Sequence, residues 1–299
     1  MKQVIIGEVG TRDGFQNIAE FIPTAKKVEI ARAILDSGIP MMQLTSFVSP
    51  KAIPQLADAE EVSAAILPQY PNVAFNALVP NLFGARRAFA CGYREVNYVI
   101  SVSESHNRNN VNRTHQQSLA ELRAIREALP QLKVTAGLAT AFGCPFEGET
   151  SLEKLLSMVQ RVYETGVRSL ELSDTIGVAY PLQVALFLDA IHERYPDCQV
   201  GVHIHDTRNM GIVSSWTAIH HGAAYIHGSV GGLGGCPFAP GASGNVSTED
   251  LVYVLQKCGY ETGVDFEKLM AAARLTHSIV RGNYSGHQIK ISQAEPCCR

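Results

Sequence analysis

Short runs of Val, Ile and Leu recur along the chain, and each is followed by a longer stretch in which apolar residues return every three or four positions. A brief β-branched run bounded by turn residues suits a strand buried on both faces, whereas the longer repeat gives a helix one apolar stripe. The pattern predicts strands at 4–9, 41–47, 73–79, 95–102, 133–139, 169–173, 199–205 and 225–230. Helices are predicted at 23–37, 57–67, 84–91, 116–129, 151–165, 181–194 and 209–222, with further ones near 248–258 and 266–280. Eight βα units in 299 residues match an α/β fold of the (β/α)8 TIM-barrel type, which needs about 250 residues plus insertions. A doubly wound sheet is the second reading. A two-domain dinucleotide-binding arrangement would place a GxGxxG at the first turn, where this chain has GEVGTRDGFQN at 7–17. With no Pro/Gly/Ser linker in view, residues 1–299 are expected to form one catalytic domain, the barrel over about 1–258 and a C-terminal helical appendage over about 259–299 covering one end.

Composition narrows the partners. Lys+Arg 25 against Asp+Glu 28 leaves a formal charge of -3 without any block of like charge, so the footprint of a nucleic-acid binder is missing. No apolar run approaches the ~18–20 residues of a membrane span, and the N-terminal apolar stretch is too short for a signal h-region. The seven cysteines show no CxxC spacing and are odd in number. A reducing, cytoplasmic setting is therefore expected, with Cys297 and Cys298 kept as thiols.

Barrels gather their chemistry at the C-terminal ends of the strands, and the polar residues here fall there. Arg12 and Asp13 follow the first predicted strand, Gln43 lies on the second, Ser103 and Glu104 follow the fourth, Asp174 follows the sixth, and His203 and His205 end the seventh. Strand alternation would point both imidazoles to one face, able to share a cation. Two satisfied polar residues in a barrel mouth would look the same by spacing alone. Asp206, of opposite parity, is expected to support a neighbouring loop. Asp13 is the candidate oxygen ligand, and imidazoles with a carboxylate and no thiolate pattern favour Mg or Mn, with Zn also suited. The glycine-rich segment 231–245 follows the eighth strand and carries Cys236, a proton donor or nucleophile if the loop is more than a lid. GCPFEG at 143–148 reads as turn chemistry, and His220 and His221 at a predicted helix end take no role.

These segments resemble the 3-hydroxy-3-methylglutaryl-CoA lyases, within the metal-dependent barrel lyases. The likeness runs from about residue 4 to about residue 270 and is carried by GEVGTRDGFQN at 7–17, TSFVSPKAIPQLAD at 45–58, VPNL at 79–82, GCPFEG at 143–148, SDTIGV at 173–178, HIHDT at 203–207, GGLGGCPFAPGASGN at 231–245 and STEDLVY at 247–253. The resemblance implies a divalent cation held by Asp13, His203, His205 and Asn245, with Arg12 stabilising an enolate and Cys236 moving a proton. Glu8, Asp174 and Glu249 match acidic positions of the family in supporting roles. The implied reaction is a retro-Claisen cleavage of an acyl-CoA ester to acetyl-CoA and a 3-oxo acid, acetoacetate for the parent substrate, with His203 or Asp13 as base. A homodimer is also implied.

The chain departs from that family near the chemistry. Gln43 stands where the family has a glutamate, which keeps hydrogen bonding and removes a charge. Arg208, Asn209 and Met210 replace a Tyr-Gly-Gln after HIHDT, adding a cation able to pair with a carboxylate or a CoA phosphate. Ser103 and Arg208 join Arg12 as expected substrate contacts. Gln43 and Arg208 together raise the reading of a different 3-hydroxy-3-carboxyacyl-CoA as substrate. Condensation of acetyl-CoA with a 2-oxo acid is a further alternative, and an inactive metal-binding barrel is the weakest.

Overall fold

The computed structural model describes residues 2–235 and 244–291. Eight parallel strands close into a barrel: β1 (Ile6–Glu8), β2 (Met41–Ser46), β3 (Ala74–Val79), β4 (Glu95–Ser101), β5 (Lys133–Ala139), β8 (Ser169–Ser173), β9 (Gln199–His203) and β10 (Ile226–Gly228). Two short strands, β6 (Gly143–Cys144) and β7 (Gly148–Glu149), form a hairpin after β5, so GCPFEG is a turn as its glycines and proline suggest. Closure pairs Gly7 of β1 with His227 of β10 on one side and with Met41 of β2 on the other.

The predicted helices form between the strands: α1 (Thr24–Leu35), α2 (Ala59–Ile66), α3 (Leu82–Ala90), α5 (His115–Ala128), α6 (Leu152–Tyr163), α7 (Pro181–Arg194), α8 (Gly211–His220) and α9 (Thr248–Lys257). A short α4 (Glu104–Val111) precedes α5, and α10 (Phe266–Ile279) packs along α1. Several begin where a hydroxyl or amide caps them. Thr114 and Gln117 make a reciprocal capping box at α5, and Ser151 and Ser247 accept from the third helical N–H of α6 and α9. Burial separates two environments. Helix stripes such as Leu155, Val159 and Val162 meet the outward faces of the strands, where Val96, Ile100, Leu138, Leu170 and Val202 are fully buried. The inside of the barrel is polar instead, lined by Gln43, Asn76, Asn97, Thr135, Glu171, His203 and His227, all buried.

Residues 284–288 return to the mouth. Gly286 N donates to Gly231 O at 3.0 Å, and the N–H groups of His287 and Gln288 both donate to Asp250 at 2.8 Å. No helix among the described residues is long and apolar enough to cross a membrane.

Candidate active site at the mouth of the barrel

Beyond β1 the chain makes one wide helical turn, Gly10–Gly14, which brings Arg12 and Asp13 back over the barrel axis. Glycine is required at its start, because a Cβ on Gly10 would sit 2.6 Å from Glu8 Oε1. Arg12 and Asp13 are 7% and 6% exposed, so their charges are compensated locally. Arg12 Nη1 donates to Asp13 Oδ1, Arg12 Nε donates to Gln43 Oε1, and Gln43 Nε2 donates to Asn76 Oδ1 at 2.8 Å. Gln43 thus keeps the hydrogen bonding expected of it and brings no charge to the guanidinium. A register shift in β2 between Gln43 and Thr45 falls at this point, the kind of irregularity that re-aims a side chain at a barrel rim.

His203 is the last residue of β9. His205 lies beyond the strand, in contrast to the predicted span of 199–205, and is held by an antiparallel bridge to Asn245. The two rings still lie side by side, centroids 5.1 Å apart and inclined edge-on to one another. His205 Nε2 lies 3.7 Å from Asp13 Oδ2, and Asn245 Nδ2 donates to the same oxygen at 2.8 Å. One ligand atom each from Asp13, His203 and His205 fall within 4.8 Å of one another. The four residues expected as ligands are therefore together, drawn from three separate segments.

Their electrostatics suit a cation. Burial alone would raise the Asp13 carboxyl, but the Arg12 guanidinium beside it holds it well below the usual carboxylate range. Burial pushes His203 down to about 3, which keeps its ring neutral and its lone pair available. Nε2 of His205 is the nitrogen turned toward Asp13, while Nδ1 of both His203 and His205 is buried without a hydrogen-bond partner among the described residues. An amide, two imidazoles and an ionised carboxylate fit a six-coordinate divalent ion, with Asn245 turning its amide to present oxygen.

The other expected residues hold loops around this centre. Glu8 accepts from Gly10 N at 2.6 Å, Val230 N at 3.0 Å and Thr248 Oγ1 at 2.6 Å, joining the mouth ends of β1 and β10 to α9. Glu249 Oε2 accepts from Gly231 N at 2.9 Å. Burial pushes both carboxyls up to about 7. Asp174 accepts from the N–H groups of Val178 and Ala179, both at 2.9 Å, and its carboxyl is raised by burial. Ser103 caps α4 and donates to Glu147 Oε1 at 2.7 Å, so a substrate contact from its hydroxyl would displace Glu147. Asp206 accepts from Gly211 N at 2.6 Å and starts α8. Arg208 is exposed at the rim, its Nη1 donating to the carbonyls of Ile176 and Gly177 at 3.1 and 2.9 Å. These acceptors carry no full charge, which leaves its own available. Cys236 lies outside the described residues, as do Cys297 and Cys298.

Sequence reasoning missed a buried group directly below. Glu171, His203 and His227 offer ligand atoms within 4.8 Å of one another. His227 Nδ1 lies 3.3 Å from Glu171 Oε2, and Tyr225 donates to that oxygen at 3.2 Å. A single Glu in SLELS and a single His in YIHGS read equally well as solvent-facing, and only the barrel register turns them inward.

Comparison with known proteins agrees with this geometry. The sequence family described as HMGL-like matches residues 3–276. A hydroxymethylglutaryl-CoA lyase of Bacillus subtilis is 41% identical over 275 residues, covering 91% of this chain and 92% of that one. An (R)-citramalyl-CoA lyase of Chloroflexus aurantiacus is 37% identical over 284 residues, covering 91% of this chain and 90% of its own. Among solved structures, an HMG-CoA lyase of Acinetobacter baumannii in complex with coenzyme A and 3-methylmalate superimposes with a TM-score of 0.93 at 35% identity, covering 99% of this chain and 97% of that one.

Proposed function

Since the chain belongs to the HMGL-like family, we propose that it is a carbon–carbon lyase that cleaves 3-hydroxy-3-methylglutaryl-CoA, or a closely related 3-hydroxyacyl-CoA, to acetyl-CoA and a 3-oxo acid. The observation that carries this reading is the meeting of Asp13, His203, His205 and Asn245 beside the Arg12 guanidinium at the C-terminal mouth of the barrel. A divalent ion held there, Mg or Mn by its donor set, would supply positive charge to the substrate's tertiary hydroxyl and neighbouring carboxylate oxygen.

The remaining work falls to the chain's own side chains. Asp13 or His203 takes the hydroxyl proton, and the bond between C2 and C3 then breaks with its electron pair passing to the thioester. Arg12 faces that developing enolate oxygen from a site with almost no exposure, where a fixed guanidinium is worth far more than in water. Cys236, in the glycine-rich segment 231–245, returns a proton to the acetyl-CoA carbon. Glu8, Asp174 and Glu249 fix the loops that carry these groups. Gln43 and the rim cation Arg208 favour a second substrate reading, a 3-hydroxy-3-carboxyacyl-CoA other than the parent, and the Chloroflexus relative is a citramalyl-CoA lyase. We also place the chain in the cytoplasm as a homodimeric, single catalytic domain, testable by fractionation and light scattering. Its free thiols at Cys91, Cys144, Cys198 and Cys258 are compatible with a reducing compartment.

The test is acetyl-CoA release from 3-hydroxy-3-methylglutaryl-CoA with Mg or Mn, beside chelated enzyme and Cys236→Ala. Release that needs the ion and is lost in the variant supports the reading. Absence of release from folded, metal-loaded protein sinks the parent substrate and moves the assay to citramalyl-type thioesters and to condensation.

A further inference from the structure

The polar floor beneath the mouth is a built feature. In the parallel register Glu171 of β8 lies between two glycines, Gly137 of β5 and Gly201 of β9. A Cβ at Gly201 would stand 2.1 Å from Tyr225 Cζ, one at Gly7 2.5 Å from His227 Cδ2, and one at Gly137 2.5 Å from Asn97 Oδ1. Strand glycines carry an entropic cost, and here three of them clear space for polar side chains from neighbouring strands. The space so made holds Glu171 with Tyr225 donating to its Oε2, Ser173 Oγ donating to its Oε1 at 3.5 Å and His227 beside it. A ring nitrogen of His203 lies within 4.8 Å of a Glu171 oxygen, the His203 ring is 5.7 Å from that of His227, and the buried Nδ1 of His203 has no hydrogen-bond partner among the described residues.

A histidine that ligates a metal through one nitrogen is oriented through the other by a carboxylate, a backbone carbonyl or water. The carboxylates at the mouth are committed elsewhere: Asp13 to Arg12, Gln16 and Asn245, Asp174 to the N–H groups of Val178 and Ala179, and Glu8 and Glu249 to the backbone at Val230 and Gly231, while position 43 carries an amide. We propose that Glu171, backed by Tyr225 and His227, is the positioning carboxylate of His203, supplying from across the barrel the negative charge that the strand-two position lacks here. The inference rests on His203 being a ligand, as read above.

The test is Mn2+ binding to the EDTA-stripped full chain, followed by the electron paramagnetic resonance of free Mn2+, with Co2+ absorption as a reporter of ligand geometry. Glu171→Gln is expected to weaken Mn2+ about 10- to 100-fold and to shift the Co2+ spectrum, with a metal-free melting temperature near that of wild type. Adding Gln43→Glu should recover part of the affinity. Unchanged Mn2+ affinity in folded Glu171→Gln overturns the proposal. So does uptake of two Mn2+ by wild type and one by the variant, which would make the trio a cation site in its own right. Tyr225→Phe decides the matter if Glu171→Gln does not fold: a several-fold loss supports the proposal, and wild-type affinity overturns it. Mn2+ binding that depends on Glu171 in a chain that cleaves no acyl-CoA would leave this inference standing and remove the functional reading. A wild-type chain that binds no Mn2+ removes both.

Discussion

Glu8 is fully buried and receives two backbone N–H groups and one hydroxyl, yet burial outweighs these bonds and pushes its carboxyl from 4.5 up to about 7. Linkage turns that displacement into a pH-dependent stability. Below 4.5 the side chain carries its proton in both the folded and the unfolded chain, and its contribution is fully present. Above 4.5 the unfolded chain ionises while the folded chain holds its proton, so stability falls until the pH passes 7. At ~1.4 kcal/mol per pH unit the whole difference is about 3 kcal/mol, of which about 2.5 kcal/mol is lost between pH 5 and 8. Glu8→Gln removes the titration and keeps an acceptor for Gly10 and Val230, with the amide turned to donate to Thr248. Urea unfolding of metal-free wild type and variant at pH 5, 6, 7 and 8 gives the comparison. Other buried groups titrate in both, including His203 and His227, whose depressed values act in the opposite sense. The difference between the two proteins isolates Glu8. The variant should gain on wild type by about 2.5 kcal/mol from pH 5 to pH 8. Parallel curves would mean that Glu8 is ionised in the fold, and the argument from burial would fail.

Three further outcomes follow from the same contacts. Asp13→Asn should reduce turnover and Mn2+ affinity more than about 100-fold, beyond the usual loss for a residue that only orients a ligand, and chelation of wild type should reproduce the effect on turnover; an active, chelator-resistant variant would exclude Asp13 as a ligand. Gly201→Ala, with its Cβ against the Tyr225 ring, should cost about 1–3 kcal/mol by overpacking, read as a fall in melting temperature, and no fall would show that the floor is loosely packed. Arg208→Ala should raise KM for the CoA thioester several-fold at constant kcat, because an exposed rim residue affects ground-state and transition-state binding alike. An unchanged KM would take Arg208 out of substrate recognition.

The barrel was legible because its strands are hydrophobic runs of the expected length separated by helical repeats, as in 133–139 and 169–173, where prediction and structure share both bounds. Strand ends were less so. Around β1 and β10 the apolar composition extends past the pairing, and the residues that follow bend into the mouth to serve Glu8 and Asn245. Period-two spacing groups His205 with His203, yet it is the backbone bridge to Asn245 that holds it in place. The cluster of Arg12, Asp13, His203, His205 and Asn245 was accessible from motif and resemblance together. Glu171 and His227 were not. Their signal lies in which glycines oppose them in adjacent strands, and that requires the register of Gly7 with His227 and of Gly137 and Gly201 with Glu171.

The placement of charge around Arg12 bears on its chemistry. Its Nε is held by a neutral amide and its Nη1 by Asp13, while Nη2 has no hydrogen-bond partner among the described residues. A carboxylate at position 43 would hold the guanidinium more tightly and neutralise more of its field. Gln43 holds the guanidinium through a neutral acceptor and leaves that field for an oxygen entering from the mouth, where little water competes. In a retro-Claisen step the charge to be met is the enolate oxygen, which is absent in the ground state, so a less compensated Arg12 favours the transition state selectively. The negative charge needed near the ligating histidines then comes from Glu171 on β8. Separating the two charges in this way lets the barrel orient a metal ligand without spending the arginine that the reaction needs.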